Sequence, residues 1–282
     1  MTKRPTTRDL ATTDLMTTAA ATPIWTSDDL AMLKAAKAKL EHPGLAVRAT
    51  NLLGSPIEAG FDRLPASWRE KIGKTTSAAL GRALKVAVKT MDTGSNDGPS
   101  DRWHLLAVAT SGAIGGAFGL PALAIELPVS TTIMLRSIAD IARGEGEDLH
   151  DVEAGLACVS VFAFGSSRTE GDDAVDSAYF ATRAALARSM TEAAKFIAEK
   201  GIIEEGAPVV ARFLAAVASR FGITVSEKAA AMAVPIVGAA GGALINTLFM
   251  DHFQDMAHGH FTVRRLERVY GAESVRLHYD KA

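Results

Sequence analysis

Apolar positions dominate two long stretches, residues 103–125 and 229–250, and neither contains an Asp, Glu, Lys or Arg. Small residues recur four apart within them: Gly112 and Gly116, Gly115 and Gly119, then Gly238 and Gly242. That spacing lets two helix backbones approach closely, in a membrane or in a dense core. Elsewhere the pattern is helical. Thr26-Ser-Asp-Asp predicts a capped helix over 28–41, stopped by His42-Pro43-Gly44. Ser55-Pro-Ile-Glu58 has the form of a capping box with proline at the first helical position. Further helices are predicted over 68–91, 129–143, 174–200 and 208–221, with a break or kink at Pro121 and Pro128 and stops at Gly201 and Gly222. Ser226 is expected to cap one more helix. Pro235 kinks it, and it continues to Val269. The apolar run 153–164 reads as helix because no second strand-like run exists to pair with it. Residues 92–101 (DTGSNDGPSD) and 165–173 are loops.

These elements make an all-α protein. A disordered tail over 1–25 precedes one multi-helix domain over 26–279, with the two glycine-rich apolar helices at its centre. The tail is rich in Thr and Ala and lacks the continuous apolar stretch of a signal peptide. Each glycine-rich stretch is long enough to span a bilayer. Ala and Gly contribute little to insertion, however, and Pro235 and Asn246 interrupt the second stretch. Soluble core and reversible membrane contact therefore both stay open.

The helix predicted over 68–91 is basic and amphipathic. Lys71, Lys74, Arg82, Lys85 and Lys89 fall on one side, and Ile72, Ala79, Leu80, Ala83, Leu84, Val88 and Met91 on another. Such a face suits an anionic bilayer surface. Residues 140–176 hold ten acidic and two basic residues, so they are a competing partner for the same cations. The net charge of −2 argues against a nucleic-acid binder that relies on bulk positive charge. The single cysteine, Cys158, excludes an internal disulfide, and its apolar neighbours predict a buried, inert thiol in a reducing compartment.

Candidate chemistry is sparse. Gly73-Lys74-Thr75 ends like a phosphate-binding loop, but Trp68 stands where the first glycine is required. No Ser–His–Asp or Cys–His arrangement is recognisable, and no cofactor is predicted. Asp251, Asp255 and His258 share a helix face and form a candidate metal set, with Glu126 as the ligand to try from a second helix. A carboxylate in apolar sequence needs a partner, which for Glu126 is expected to be Arg264 or Arg265. Arg136 and Asp140 are placed to pair across one helical turn.

Three segments resemble the EcsC family. They are LPASWREKI at 64–72, GGAFGLPALAIELPVSTTIMLRSIADIARGEGEDL at 115–149 and VPIVGAAGGALINTLFMDHFQDMAHGHFTVRRLERVYG at 234–271. Glu126 stands where an acidic residue, often Asp, is expected before Leu-Pro, and Gly144-Glu-Gly replaces a common aromatic–glycine pair. The resemblance implies a bacterial helical protein. The family takes its name from a gene beside those of an ABC exporter and has no defined reaction. The leading expectation is thus a non-enzymatic helical protein in the cytoplasm, peripheral to the inner face of the membrane. Its partners would be anionic lipid and, by that gene context, a membrane protein. The alternative is a soluble metal- or ligand-binding protein or enzyme with its site near Asp251, Asp255 and His258. A third reading makes the two glycine-rich stretches a pair of membrane spans.

Overall fold

The computed structural model describes residues 23–41, 44–53, 58–62, 64, 67–89, 120–166, 178–200, 207–233 and 239–282. Among them there is no strand, and the fold is all-α. The helices are α1 (Ser27–Leu40), α2 (Leu45–Leu53), α3 (Glu58–Phe61), α4 (Ser67–Lys89), α5 (Leu120–Gly144) and α6 (Val152–Ser160). A 3-10 turn, Val161–Ala163, follows α6. Then come α7 (Ala178–Lys200), α8 (Pro208–Met232), α9 (Ala239–Tyr270) and α10 (Ala272–Lys281).

The 32 residues of α9 give it a length of about 48 Å, and it packs against α1, α2, α5, α8 and α10. At Gly259 a Cβ would lie 2.6 Å from Leu40 Cγ and 3.0 Å from the Ala36 carbonyl oxygen, so α1 crosses α9 at backbone distance. Around the 3-10 turn, Phe162, Phe221, Phe249 and Phe253 interlock with ring centroids 4.8–6.1 Å apart. Offset and edge-on contacts of this kind add to the area that each ring buries. Behind them α4 lies on α5, α6 and α8, and α7 lies on α6 and α8. Cys158 is buried in α6, and burial pushes its thiol up to about 12, which keeps it unreactive.

Several sequence expectations meet local chemistry directly. Thr26 caps α1 by accepting the Asp29 N–H at 3.1 Å. In α4, Ile72, Thr76, Ala79, Leu80, Ala83 and Leu84 are buried on one side, as its spacing predicts.

Others are corrected. Pro121 and Pro128 do not break the chain; α5 runs through both. Pro121 falls in the first turn, where its missing N–H costs nothing, and Pro128 is half-exposed, with the Thr132 hydroxyl donating to its carbonyl at 2.8 Å. Gly222 is no stop and Ser226 no cap. The Ser226 hydroxyl turns back to the Gly222 carbonyl at 2.7 Å inside a continuous α8. The second glycine-rich stretch does not form one helix: its first residues end α8, the chain leaves that helix at Ala233, and α9 begins at Ala239. The first stretch, apart from the start of α5, lies outside the described residues, as do the 92–101 loop and residues 1–22. Trp25, read as tail, belongs to the fold. It stacks on Tyr270 and His278 at 4.0 and 4.6 Å and donates its indole N–H to Ser274 at 2.9 Å. The helix after Gly271 was not anticipated either.

Candidate functional site

The cationic face comes first. Lys71, Lys74, Arg82 and Lys85 are all exposed, and they share an arc of roughly 80° on the side of α4 turned away from its buried stripe. Lys89 ends the same helix, and its side chain is not among the described ones. Lys74 meets Glu70 at 2.6 Å in an exposed surface pair, and Lys71 stands over the Trp68 ring at 5.7 Å. Of the anticipated acidic competitor, Glu145 and Glu147 are engaged elsewhere, and residues 167–176 lie outside the described ones. Glu145 binds Arg265 at 2.7 Å, and Glu147 takes the Nε and Nη2 of Arg264 at 2.8 and 3.0 Å and also binds Arg268. Burial works to raise Glu147, but the two arginines outweigh it and hold the carboxyl below its ordinary value.

Glu126 does not pair with Arg264 or Arg265. Its Oε1 accepts from Lys228 Nζ at 2.8 Å and from Asn246 Nδ2 at 2.9 Å, so one carboxylate joins α5, α8 and α9 in the interior. Lys228 also lies over the Phe249 ring at 4.5 Å. Sequence reasoning missed Lys228 because Ser226-Glu-Lys reads as an exposed first turn. Its place at the very edge of a charge-free stretch was the available signal. Arg136 is exposed on α5, and Asp140 meets Arg143 at 3.0 Å.

The candidate metal residues form an ion-pair clamp instead. Lys39 of α1 reaches Asp255 at 2.5 Å, and Arg48 of α2 bridges Asp251 and Asp255. His258 lies half-buried one turn on, and Glu126 is committed to Lys228. Among the described residues no three His, Cys, Asp or Glu side chains are grouped to hold a metal ion.

A polar site that the sequence did not suggest lies between α6, α7 and α9. Here a cavity of about 150 Å³ is lined by Phe164, Arg183, Leu186, Met190, His260 and Arg264, with Glu153 and Thr191 at its exposed side. Arg183 chelates Glu267 at 2.7 and 2.9 Å and donates to the Tyr179 hydroxyl at 3.3 Å. That hydroxyl lies 2.9 Å from His260 Nδ1. Burial, with Arg183 and Arg264 nearby, pushes His260 well below its ordinary value, so its ring is neutral. Beside this site His252 packs against Gly165, whose φ of +68° only glycine adopts readily. Burial, with Arg48 adding to it, lowers His252 to about 4.

Among the described residues one helix, α8, is long and apolar enough to cross a membrane, with a mean hydropathy of 1.5. Its inner end carries buried Glu227 and Lys228. No curated protein and no solved structure matches the chain. The sequence profile of the EcsC protein family matches residues 28–266, from the first turn of α1 to the last turns of α9. This chain belongs to the EcsC protein family.

Proposed function

We propose that this protein is a peripheral membrane protein that lies on anionic lipid through the outward face of α4. One observation carries the reading: Lys71, Lys74, Arg82 and Lys85 face solvent together, while Glu145 and Glu147, from the nearby acidic segment, are held by the arginines of α9. Each cation close to a cytoplasmic leaflet contributes about 1 kcal/mol, so four of them supply enough for reversible binding and too little for permanent attachment. The buried stripe of α4 is already packed on α5 and α8, so contact is electrostatic, and insertion of α4 would require unpacking it.

A transmembrane role for α8 is less well supported. The Lys228–Glu126 pair fastens its inner end to α5, and taking those charges into lipid would cost several kcal/mol. The same reading places the protein at the inner face of the membrane, beside a membrane-protein partner, and gives it no reaction of its own. Flotation with neutral and anionic liposomes at low and high salt tests it. Binding to anionic vesicles alone, abolished by salt, is the expected result. Equal recovery with neutral vesicles, or no binding at all, would reject it.

A further inference from the structure

The cavity between α6, α7 and α9 has features that a merely structural void lacks. His260 is 3% exposed and helps to line it, yet the ring's Nε2 is buried and has no hydrogen-bond partner among the described residues. Several buried side-chain polar atoms lack a partner among the described residues, and of the cavity-lining residues His260 is the one that carries such an atom. The state of that atom follows from its neighbours. The Tyr179 oxygen accepts from Arg183, and among the described residues the phenolic proton has His260 Nδ1, at 2.9 Å, as its acceptor. Nδ1 therefore holds a lone pair, and the neutral ring carries its hydrogen on Nε2. His260, a residue of the cavity lining, thus carries a donor for which the described residues supply no acceptor.

The rest of the wall defines the acceptor. Glu147 occupies the Nε and Nη2 of Arg264, which leaves Nη1 without a partner among the described residues. Two guanidiniums, those of Arg183 and Arg264, border the cavity. The one acidic lining residue, Glu153, is exposed at the rim, where water screens it. Leu186, Met190 and Phe164 give the wall an apolar side, and Ser160 and Thr191 add hydroxyls to it. A volume of about 150 Å³ is comparable to an apolar cavity that accepts benzene.

We propose that this cavity binds a small organic monocarboxylate, its anionic end held by His260 Nε2–H and Arg264, its short apolar body laid on Leu186, Met190 and Phe164. A metal ion is disfavoured because the imidazole lone pair is already used and two cations flank the site. Inorganic phosphate would leave the apolar wall uncovered. A neutral molecule would offer the charged N–H of Arg264 Nη1 a weaker acceptor than a carboxylate does. The proposal is independent of the membrane reading and stands or falls separately.

The test uses the full-length protein at pH 7, with benzoate and butyrate as probes and benzamide and inorganic phosphate as comparisons. Binding is followed by calorimetry and by the long-range ¹H–¹⁵N side-chain resonances of the histidines. Saturable binding of a carboxylate that moves the His260 resonances, with benzamide at least about tenfold weaker, is expected. His260→Leu should weaken binding by about tenfold or more, and His260→Gln, which retains an N–H, should restore most of it. If His260→Leu fails to fold, the resonance shift in the unaltered protein decides. Unmoved His260 resonances at about 10 mM of both carboxylates would overturn the proposal, as would benzamide or phosphate binding as tightly as the carboxylates.

Discussion

Lys228 Nζ and Glu126 Oε1 lie 2.8 Å apart, 102 residues apart in the chain, with side chains 0% and 5% exposed. Burial lowers the lysine's proton affinity and Glu126 opposes that shift, so each charge is tolerable only beside the other. Lys228→Met leaves a buried carboxylate supported by Asn246 alone and should cost about 3–5 kcal/mol. Adding Glu126→Gln, whose amide oxygen still accepts from Asn246, should recover most of the loss. Urea unfolding of the two single variants and the double variant measures the coupling. Additive losses would mean that the pair is not a unit.

The pH response follows from His252. Its folded value of about 4 lies below the ordinary 6.5 because of burial first and Arg48 second. The folded state therefore binds this proton less well than the unfolded chain. The stability contribution is complete above pH 6.5 and is lost as pH falls toward 4, by about 3 kcal/mol over that window. His260, also lowered, steepens the same fall. His252→Gln should flatten the decline in unfolding free energy between pH 6.5 and 4, even if it lowers stability at pH 7. An unchanged slope would show that His252 does not titrate there.

Gly165 is fixed by its neighbours as well as by its backbone. A Cβ would lie 2.5 Å from His252 Cε1 and 2.8 Å from Met256 Sδ, at a φ of +68°. Gly165→Ala should therefore destabilise by more than the roughly 1–2 kcal/mol of left-handed strain. It should also shift the His252 side-chain resonances, whereas Gly222→Ala, at a helical site with open space, should be neutral or mildly stabilising. Thermal unfolding of the two variants distinguishes the sites.

Asp251 and Asp255 serve to dock α1 and α2 on α9 through Lys39 and Arg48. Titration with zinc or manganese should give no saturable binding and no rise in Tm. Arg48→Ala should loosen the N-terminal helices, seen as faster amide exchange in α1 and α2 with the α7 amides unchanged. Stoichiometric metal binding lost in Asp255→Ala would instead restore the metal reading.

What was legible in the sequence was local. The Thr26 cap and the two faces of α4 each depend on residues within one or two turns, and the lack of a second strand-like run pointed to helix over 153–164. Proline and glycine misled where solvent and side chains absorb their cost. Pro128 is only half-buried, and Gly222 sits in a helix that tertiary packing holds. The interior polar contacts were not legible, because Glu126–Lys228 and Tyr179–His260 join residues far apart in the chain. A sequence shows that a buried charge needs a partner, but only packing selects Lys228 over Arg264. The His260 cavity was not legible, since Tyr179 and Arg183 meet His260 only through packing of segments far apart in the chain.

The central claim is that the outward face of α4 binds anionic membrane, and the most direct measurement is the partition of charge variants onto anionic vesicles. Lys71, Lys74, Arg82 and Lys85 are changed to Gln in one variant. Lys34, Arg188, Lys195 and Lys281, also exposed, are changed to Gln in a second variant of equal net charge. At about 1 kcal/mol per cation, removing the α4 set should weaken low-salt partitioning by several hundredfold or more. The second variant should stay within a few fold of the unaltered protein. Equal losses in the two variants, or undiminished binding in the first, would contradict the account.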